Sequence, residues 1–270
     1  MPRHYDPMGT TALVTGASSG LGVEFARELA RRGADLVLVA RRQDRLEQLA
    51  VQLAESYGTV STVIPMDLTA SDAVSELRAD LAERGVRVAT LVNNAGFGTF
   101  GRLDGIAEQR VHDEVSLNVL ALTELTRAFW PELVAHARTS PGNGALVNIS
   151  STAAYQPIPF MAVYGATKAY VRSFTEALWW EAKGTGLKVT ALAPGATDTE
   201  FRQVAANDPV MVGPHQDAAT AVATAFRALD ARSTPPSVVS GALNAVGARG
   251  VGFVPRRSLL TVLGRSIAPS

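Results

Sequence analysis

The residues best suited to chemistry lie in one stretch, Ser151 to Lys168, reading STAAYQPIPFMAVYGATK. Tyr164 follows Ser151 by 13 residues, and Lys168 follows Tyr164 by four. On a helix, residues four apart share a face, one turn from each other. A phenol beside an ammonium suits proton exchange, because the positive charge would draw the phenol pKa down from its free value of about 10. The serine hydroxyl can hydrogen-bond an oxygen whose charge changes during reaction. Such a set moves a proton but no electrons; an electron or hydride carrier is what it lacks, and a place for one is sought in the rest of the chain.

A site for one opens the sequence. Residues 11–15, TALVT, read as a buried strand, 16–22 as a glycine-rich turn, and 23–32, VEFARELARR, as an amphipathic helix. Strand, glycine turn and helix N-terminus together form an anion site suited to a dinucleotide pyrophosphate. That reading assigns Gly16, Ser18, Ser19, Gly20, Leu21 and Gly22 to the cofactor. The end of the second apolar run, 35–40, chooses between the two nicotinamide dinucleotides. It continues into Arg41-Arg42 with no carboxylate before Asp44. A carboxylate there would bind a ribose 2′-hydroxyl, whereas arginines accommodate a 2′-phosphate, so NADP(H) is preferred with NAD(H) left open. Solvated helix-start residues are the plainer reading of the two arginines. Asp67 and Leu68, ending the third run, could meet the adenine edge, and Asp67 could equally cap the next segment.

The elements that must position these groups alternate along the chain. Strands are expected at 11–15, 35–40, 59–64, 88–92, 145–149, 187–193 and 237–240. Helices are expected at 23–32, 43–56, 71–83 behind Ser71, and 106–137 with interruptions near Asn118 and Pro131. Further helices are expected from the second half of the reactive stretch to Lys183, in a short piece before 214, and at 217–230. Alternating apolar strands and helices indicate a parallel sheet covered on both faces. No linker or repeat divides the 270 residues, so one domain spans 1–270, with loop 196–215 as a substrate cover and 253–270 as a tail.

Composition narrows the function classes. Net charge is zero, which argues against nucleic-acid binding. The absence of cysteine removes disulfides, thiolate metal sites and a cysteine nucleophile. His4, His112, His136 and His215 lack a ligand spacing, so no metal site is expected. The start, MPRHYDPMG, has no apolar run, and no stretch is long enough to span a bilayer, so a cytoplasmic location is expected.

These residues together resemble the short-chain dehydrogenase/reductase family, in its short single-domain branch. The resemblance runs from about Thr11 to Gly241. It rests on TGASSGLG at 15–22, Asp67, Asn93-Asn94-Ala95-Gly96, Asn118, Ser151, Tyr164-x-x-x-Lys168 and Pro194-Gly195, in that order and at those spacings. It implies a doubly wound, seven-stranded parallel Rossmann sheet in three layers and a Ser-Tyr-Lys-Asn tetrad. Ser151 would polarise the substrate oxygen and Tyr164 exchange the proton. Lys168 would hold the nicotinamide ribose and lower the tyrosine pKa, and Asn118 would hold a relay water. Asn94, Ala95 and Gly96 would support the adenosine side of the cofactor. Pro194, Gly195, Thr197 and Thr199 match the segment contacting the nicotinamide. Two departures stand out. Ser18-Ser19 replaces the basic residue that many NADP-preferring relatives carry in the turn, and Thr197 stands where an apolar residue is common.

Phe97, Tyr155, Ile158, Phe160 and Phe201 are candidate substrate contacts, with Phe100, Met161, Val204, Val210 and Met211 nearby in sequence. They suggest a hydrophobic ketone, aldehyde or alcohol as substrate. The tail 253–267, FVPRRSLLTVLGRSI, reads as an amphipathic helix lying on its own domain, another subunit or a membrane surface. By resemblance the helices containing Asn118 and Tyr164 would pair in a homodimer or homotetramer. Two other functions remain open at this point: a non-catalytic dinucleotide sensor, and a sugar-nucleotide epimerase or dehydratase using the same Tyr-x-x-x-Lys pair.

Overall fold

The short apolar runs become strands because both of their faces find cover. β1 (Thr11–Thr15), β2 (Asp35–Ala40), β3 (Ser61–Pro65), β4 (Val88–Asn93), β5 (Ala145–Ile149), β6 (Lys188–Ala193) and β7 (Ser237–Val239) lie parallel in one sheet of order β3-β2-β1-β4-β5-β6-β7. The structure is a computed structural model and describes residues 4–197, Glu200 and 215–268. Thr199, Phe201, Val204, Val210, Met211 and most of the expected cover loop 196–215 lie outside the described residues.

Successive strand residues point to opposite faces. On one face Ala12, Val14, Leu36, Leu38, Val92 and Val147 pack under α1 (Gly20–Arg31), α2 (Gln43–Tyr57) and α7 (Ala218–Asp230). On the other, Leu13, Val37, Val39, Leu91, Leu146 and Val189 meet α3 (Ala73–Glu83), α5 (Leu122–Thr139) and α6 (Ala162–Glu181). This is the three-layer, doubly wound Rossmann arrangement, with the strand order reversing between β1 and β4.

Three expectations shift. α1 starts at Gly20 rather than residue 23, because the turn winds directly into the helix. α3 starts at Ala73 behind Asp72 rather than behind Ser71, and no side chain caps it. The long region near Asn118 does change character: α4 (Glu108–Val115) passes through a π-helical segment, Ser116–Ala121, into α5. Such wide turns are frequent at functional sites. Pro131, in contrast, sits inside α5 without ending it. A proline within a helix costs about 3 kcal/mol. Burial of Leu125, Phe129 and Leu133 against the sheet offsets it.

One helix was not expected. α8 (Ala242–Gly250) contains Gly247 and lacks a strong propensity signal. It forms where its Asn244 amide packs against Gly195 and donates to the Ser240 carbonyl (3.0 Å). After it, α9 (Arg256–Ser266) completes the expected tail helix.

Candidate active site

The site grows from the crevice where the sheet order reverses. β1 ends at Thr15, whose hydroxyl oxygen accepts the N–H of Asn94 (2.9 Å) and Ala95 (3.0 Å). The Asn94 amide in turn donates to the carbonyls of Thr15 (2.9 Å) and Gly16 (3.2 Å). These bonds fasten the glycine turn to the end of β4. The approach is so close that only glycine fits. A Cβ on Gly16 would lie 2.8 Å from the Asn94 amide nitrogen, and one on Gly22 would lie 2.2 Å from the Gly16 carbonyl oxygen. Gly16 also has φ of +65°, the left-handed region. Ser19 precedes α1 with no side-chain cap, which leaves first-turn N–H groups to face an anion.

A cavity of about 460 Å³ runs from this turn to the reactive stretch. Gly16, Ser18, Ser19, Gly20 and Leu21 line its centre, and Gly22 supports them from beneath. Arg41, Arg42, Asp67 and Leu68 line one end, Asn94 and Ala95 lie against the glycine turn, and Gly96, Tyr164, Lys168, Pro194, Gly195 and Thr197 line the other end. An elongated cradle with a glycine floor, a helix N-terminus and arginines at one end fits a phosphorylated dinucleotide.

At the arginine end, Arg42 donates through Nε and Nη2 to the Ser18 hydroxyl (3.2 and 3.0 Å) and through Nη1 to Glu200 (2.8 Å). Arg45 pairs with the same carboxylate. Hydrogen bonds from Arg45 and then Arg42 hold the Glu200 carboxyl below its ordinary pKa. Asp67 does not cap α3. It accepts from the Thr69 N–H (3.0 Å) and hydroxyl (2.8 Å). Burial works to raise its pKa, but those two bonds and nearby Arg41 bring it lower.

At the other end, Ser151 caps the short turn Thr152–Tyr155 by accepting from the Ala153 N–H (3.1 Å) and hydrogen-bonds the Tyr164 phenol. Lys168 Nζ donates to the Ile149 carbonyl (2.9 Å) and lies 5.8 Å from the Tyr164 ring centre. Burial pushes the Tyr164 pKa up to about 12, with Ser151 opposing and Glu114 adding to the rise. Burial likewise lowers Lys168 to about 8, opposed by Glu114. The expected lowering of the phenol by the ammonium is therefore not met: removal of the phenol from water dominates its shift.

Asn118 sits in the π-helical segment, and its side chain is fully engaged. Its amide donates to the Phe97 carbonyl (2.7 Å) and the Thr167 hydroxyl (3.1 Å), while Oδ1 accepts the Phe97 N–H (3.1 Å). It thus clips the chain after β4 to α6. A Cβ on Gly96 would come within 2.8 Å of Asn118 Oδ1 and 3.3 Å of Lys168 Nζ, so that glycine lets the two approach.

Of the expected substrate contacts, Phe97 and Ile158 line the cavity, beside Phe100 and Met161. Tyr155 and Phe160 do not. Tyr155 packs under the Arg172 guanidinium (4.3 Å), and Phe160 leans on Phe100 at the edge of a second cavity. Sequence reading missed Leu263 and Ile267, which bring the tail onto its own chain as a wall of the first cavity. Their i, i+4 spacing was the available signal.

It also missed Glu114. This carboxyl is wholly buried beside the tetrad, with the Thr99 hydroxyl and N–H facing it but no hydrogen bond of normal geometry at either oxygen. Burial raises its pKa, against the opposing pull of Thr99, Arg110 and Lys168. The unfolded chain would release this proton near 4.5, while the folded chain keeps it to higher pH. Between those values the unfolded state binds fewer protons, so stability present at acid pH is lost as pH rises through the folded value. Glu114→Gln removes that loss. Its melting temperature relative to the parent chain is expected to climb between about pH 4 and pH 8. Thermal melts across that range check this, and a difference that stays flat with pH would refute it.

The chain is similar to proteins of known class. A family model described as short chain dehydrogenase matches residues 10–209. Very-long-chain 3-oxoacyl-CoA reductase from Bos taurus is 32% identical over 73% of this chain, which spans 62% of that protein. A short-chain dehydrogenase from Sphingobium yanoikuyae, solved in complex with NADPH, superposes with a TM-score of 0.79 at 33% identity, covering 93% of this chain and 95% of that one. The bulky-bulky ketone specific alcohol dehydrogenase from Comamonas testosteroni gives 0.72 at 31% identity, with 93% and 94% covered.

Proposed function

The chain belongs to the short-chain dehydrogenase family and is an oxidoreductase with a nicotinamide dinucleotide site, and from that premise we propose that it interconverts a hydrophobic ketone or aldehyde and its alcohol, with NADP(H) preferred. The observation that carries this reading is the single cavity joining Arg41 and Arg42 at one end to Ser151, Tyr164 and Lys168 at the other.

The bound dinucleotide supplies the hydride in reduction and accepts it in oxidation. The residues of the glycine turn would hold its phosphates, and Pro194, Gly195 and Thr197 its nicotinamide end. Thr197 Oγ1 donates to the Gly195 carbonyl (3.0 Å), which fixes that segment. In reduction, the hydroxyls of Ser151 and Tyr164 donate to the substrate oxygen as negative charge gathers there. The proton on Tyr164 Oη then passes to that oxygen. Burial keeps the phenol protonated up to about 12, so the donor form is present at neutral pH. Lys168 Nζ steadies the phenolate left behind, and Asn118 holds the surrounding backbone in place. In oxidation the proton returns to the Tyr164 phenolate, a form that burial makes scarce at neutral pH.

Phe97, Ile158, Met161, Leu263 and Ile267 make the reacting end apolar, which supports a bulky hydrophobic substrate. The names of the bovine and Comamonas relatives point the same way. Initial rates of NADPH oxidation with bulky aryl or acyl ketones, compared with small sugar-like or charged carbonyls, test the substrate class. Activity confined to the second group would overturn it.

Cofactor preference has its own test. Arg41→Ala with Arg42→Ala is expected to weaken NADPH binding about tenfold or more and leave NADH nearly unchanged, since hydrogen bonds to a charged group contribute about 1.5–3 kcal/mol. Fluorescence titration reads both constants, and equal losses for the two cofactors would count against a 2′-phosphate site. Exposed Val115, Leu120 and Tyr170, on the helical segments flanking Asn118 and Tyr164, support pairing into a homodimer or homotetramer.

A further inference from the structure

From Ala231 onward the chain holds five arginines and neither aspartate nor glutamate, although the whole protein is neutral. Arg249, Arg256, Arg257 and Arg265 are exposed, and among the described residues none of them forms an ion pair. The same segment exposes large apolar side chains. Leu243 and Val246, three apart on α8, are 73% and 69% exposed, and Phe253 in the connecting turn is 91% exposed. Val254, Leu260 and Val262 add to them. A phenylalanine left almost wholly in water beside unpaired arginines asks for a partner that is apolar inside and negative outside.

We propose that α8, the turn after it and α9 form a docking face for an anionic lipid bilayer, lying in the headgroup layer with Phe253 inserted. The charge pattern selects this occupant. Arginines attract anionic headgroups, while Phe253, Leu243, Val246 and Val262 reach the acyl boundary. A second copy meeting the same face would set arginine against arginine with no carboxylate to relieve the repulsion. No helix among the described residues is long and apolar enough to cross a membrane, so contact is at the surface. The face adjoins the cavity. α8 rests on the turn after Ser151, and on α9 Leu263 turns inward to line the cavity, as does Ile267 just beyond the helix.

Co-sedimentation with vesicles tests this on the whole chain and reads binding alone, apart from turnover. Vesicles of phosphatidylcholine with phosphatidylglycerol are expected to carry the protein down, whereas phosphatidylcholine alone carries little. Raised salt should release it. Arg256→Gln with Arg257→Gln should weaken binding about fivefold per arginine. Phe253→Ser should weaken it further, with circular dichroism unchanged because these side chains face solvent. The proposal is overturned if anionic vesicles leave the protein in solution, or if both lipid compositions bind it equally. It is overturned too if analytical ultracentrifugation shows a self-association that Phe253→Ser abolishes, which would assign the face to a second copy.

Discussion

Tyr164→Phe is expected to lower kcat by about a hundredfold to ten-thousandfold, the range contributed by a positioned general acid, while NADPH affinity stays near that of the parent chain. The ring fills the same volume, so Lys168 keeps its place by the Ile149 carbonyl and Ser151 keeps its bond to the Ala153 N–H. Only the hydroxyl that hands over the proton is lost. Single-turnover rates and cofactor titration on the two proteins check this. The same pair of measurements separates an enzyme from a dinucleotide sensor. A sensor would bind NADPH with no carbonyl-dependent turnover before or after the change.

Gly22→Ala should act on the fold and the cofactor together. Its Cβ would fall 2.2 Å from the Gly16 carbonyl oxygen and 2.7 Å from the Asn94 amide, and the first of these is backbone that cannot swing aside. The turn must open, which breaks the bonds from Asn94 to Thr15 and Gly16. Overpacking of this kind costs about 2–3 kcal/mol, or roughly 4–12 °C in melting temperature for a chain this size. NADPH binding should be lost with it. Gly247→Ala is the matched control, since a Cβ there meets nothing within 4 Å. That change should be neutral or slightly stabilising, because alanine favours a helix more than glycine does. Equal melting temperatures for Gly22→Ala and the parent would contradict the packing at the turn.

The sheet was legible because its five inner strands are short apolar runs, buried on both faces, and separated by helices with clear periodicity. Expected and observed ends of β1, β2 and β5 coincide, since Thr11 and Ala145 follow a polar residue or glycine and β2 opens on the polar Asp35 itself. The glycine turn was legible because Gly16 and Gly22 sit where a side chain cannot. What sequence could not supply was burial. Glu114 reads as a solvated helix residue, yet it lies in the interior and biases both Tyr164 and Lys168. The phenol pKa was misjudged for the same reason, since spacing shows the charge but not the lost water. Tyr155 and Phe160 stood close to the reactive residues in sequence, and the chain turns them aside. Leu263 and Ile267 lie a hundred residues away and close the cavity through tertiary packing. Arg45 joined Arg42 only through Glu200, a partner distant in sequence.

The most direct measurement follows the hydride itself. NADPH carrying deuterium at both C4 positions of the nicotinamide is incubated with the protein and a bulky hydrophobic ketone, and the alcohol is examined by mass spectrometry and NMR. One deuterium at the carbinol carbon is expected, formed at a rate that Tyr164→Phe suppresses. Failure to form alcohol from any hydrophobic carbonyl, or alcohol without deuterium at that carbon, would contradict the assignment of this cavity to hydride transfer.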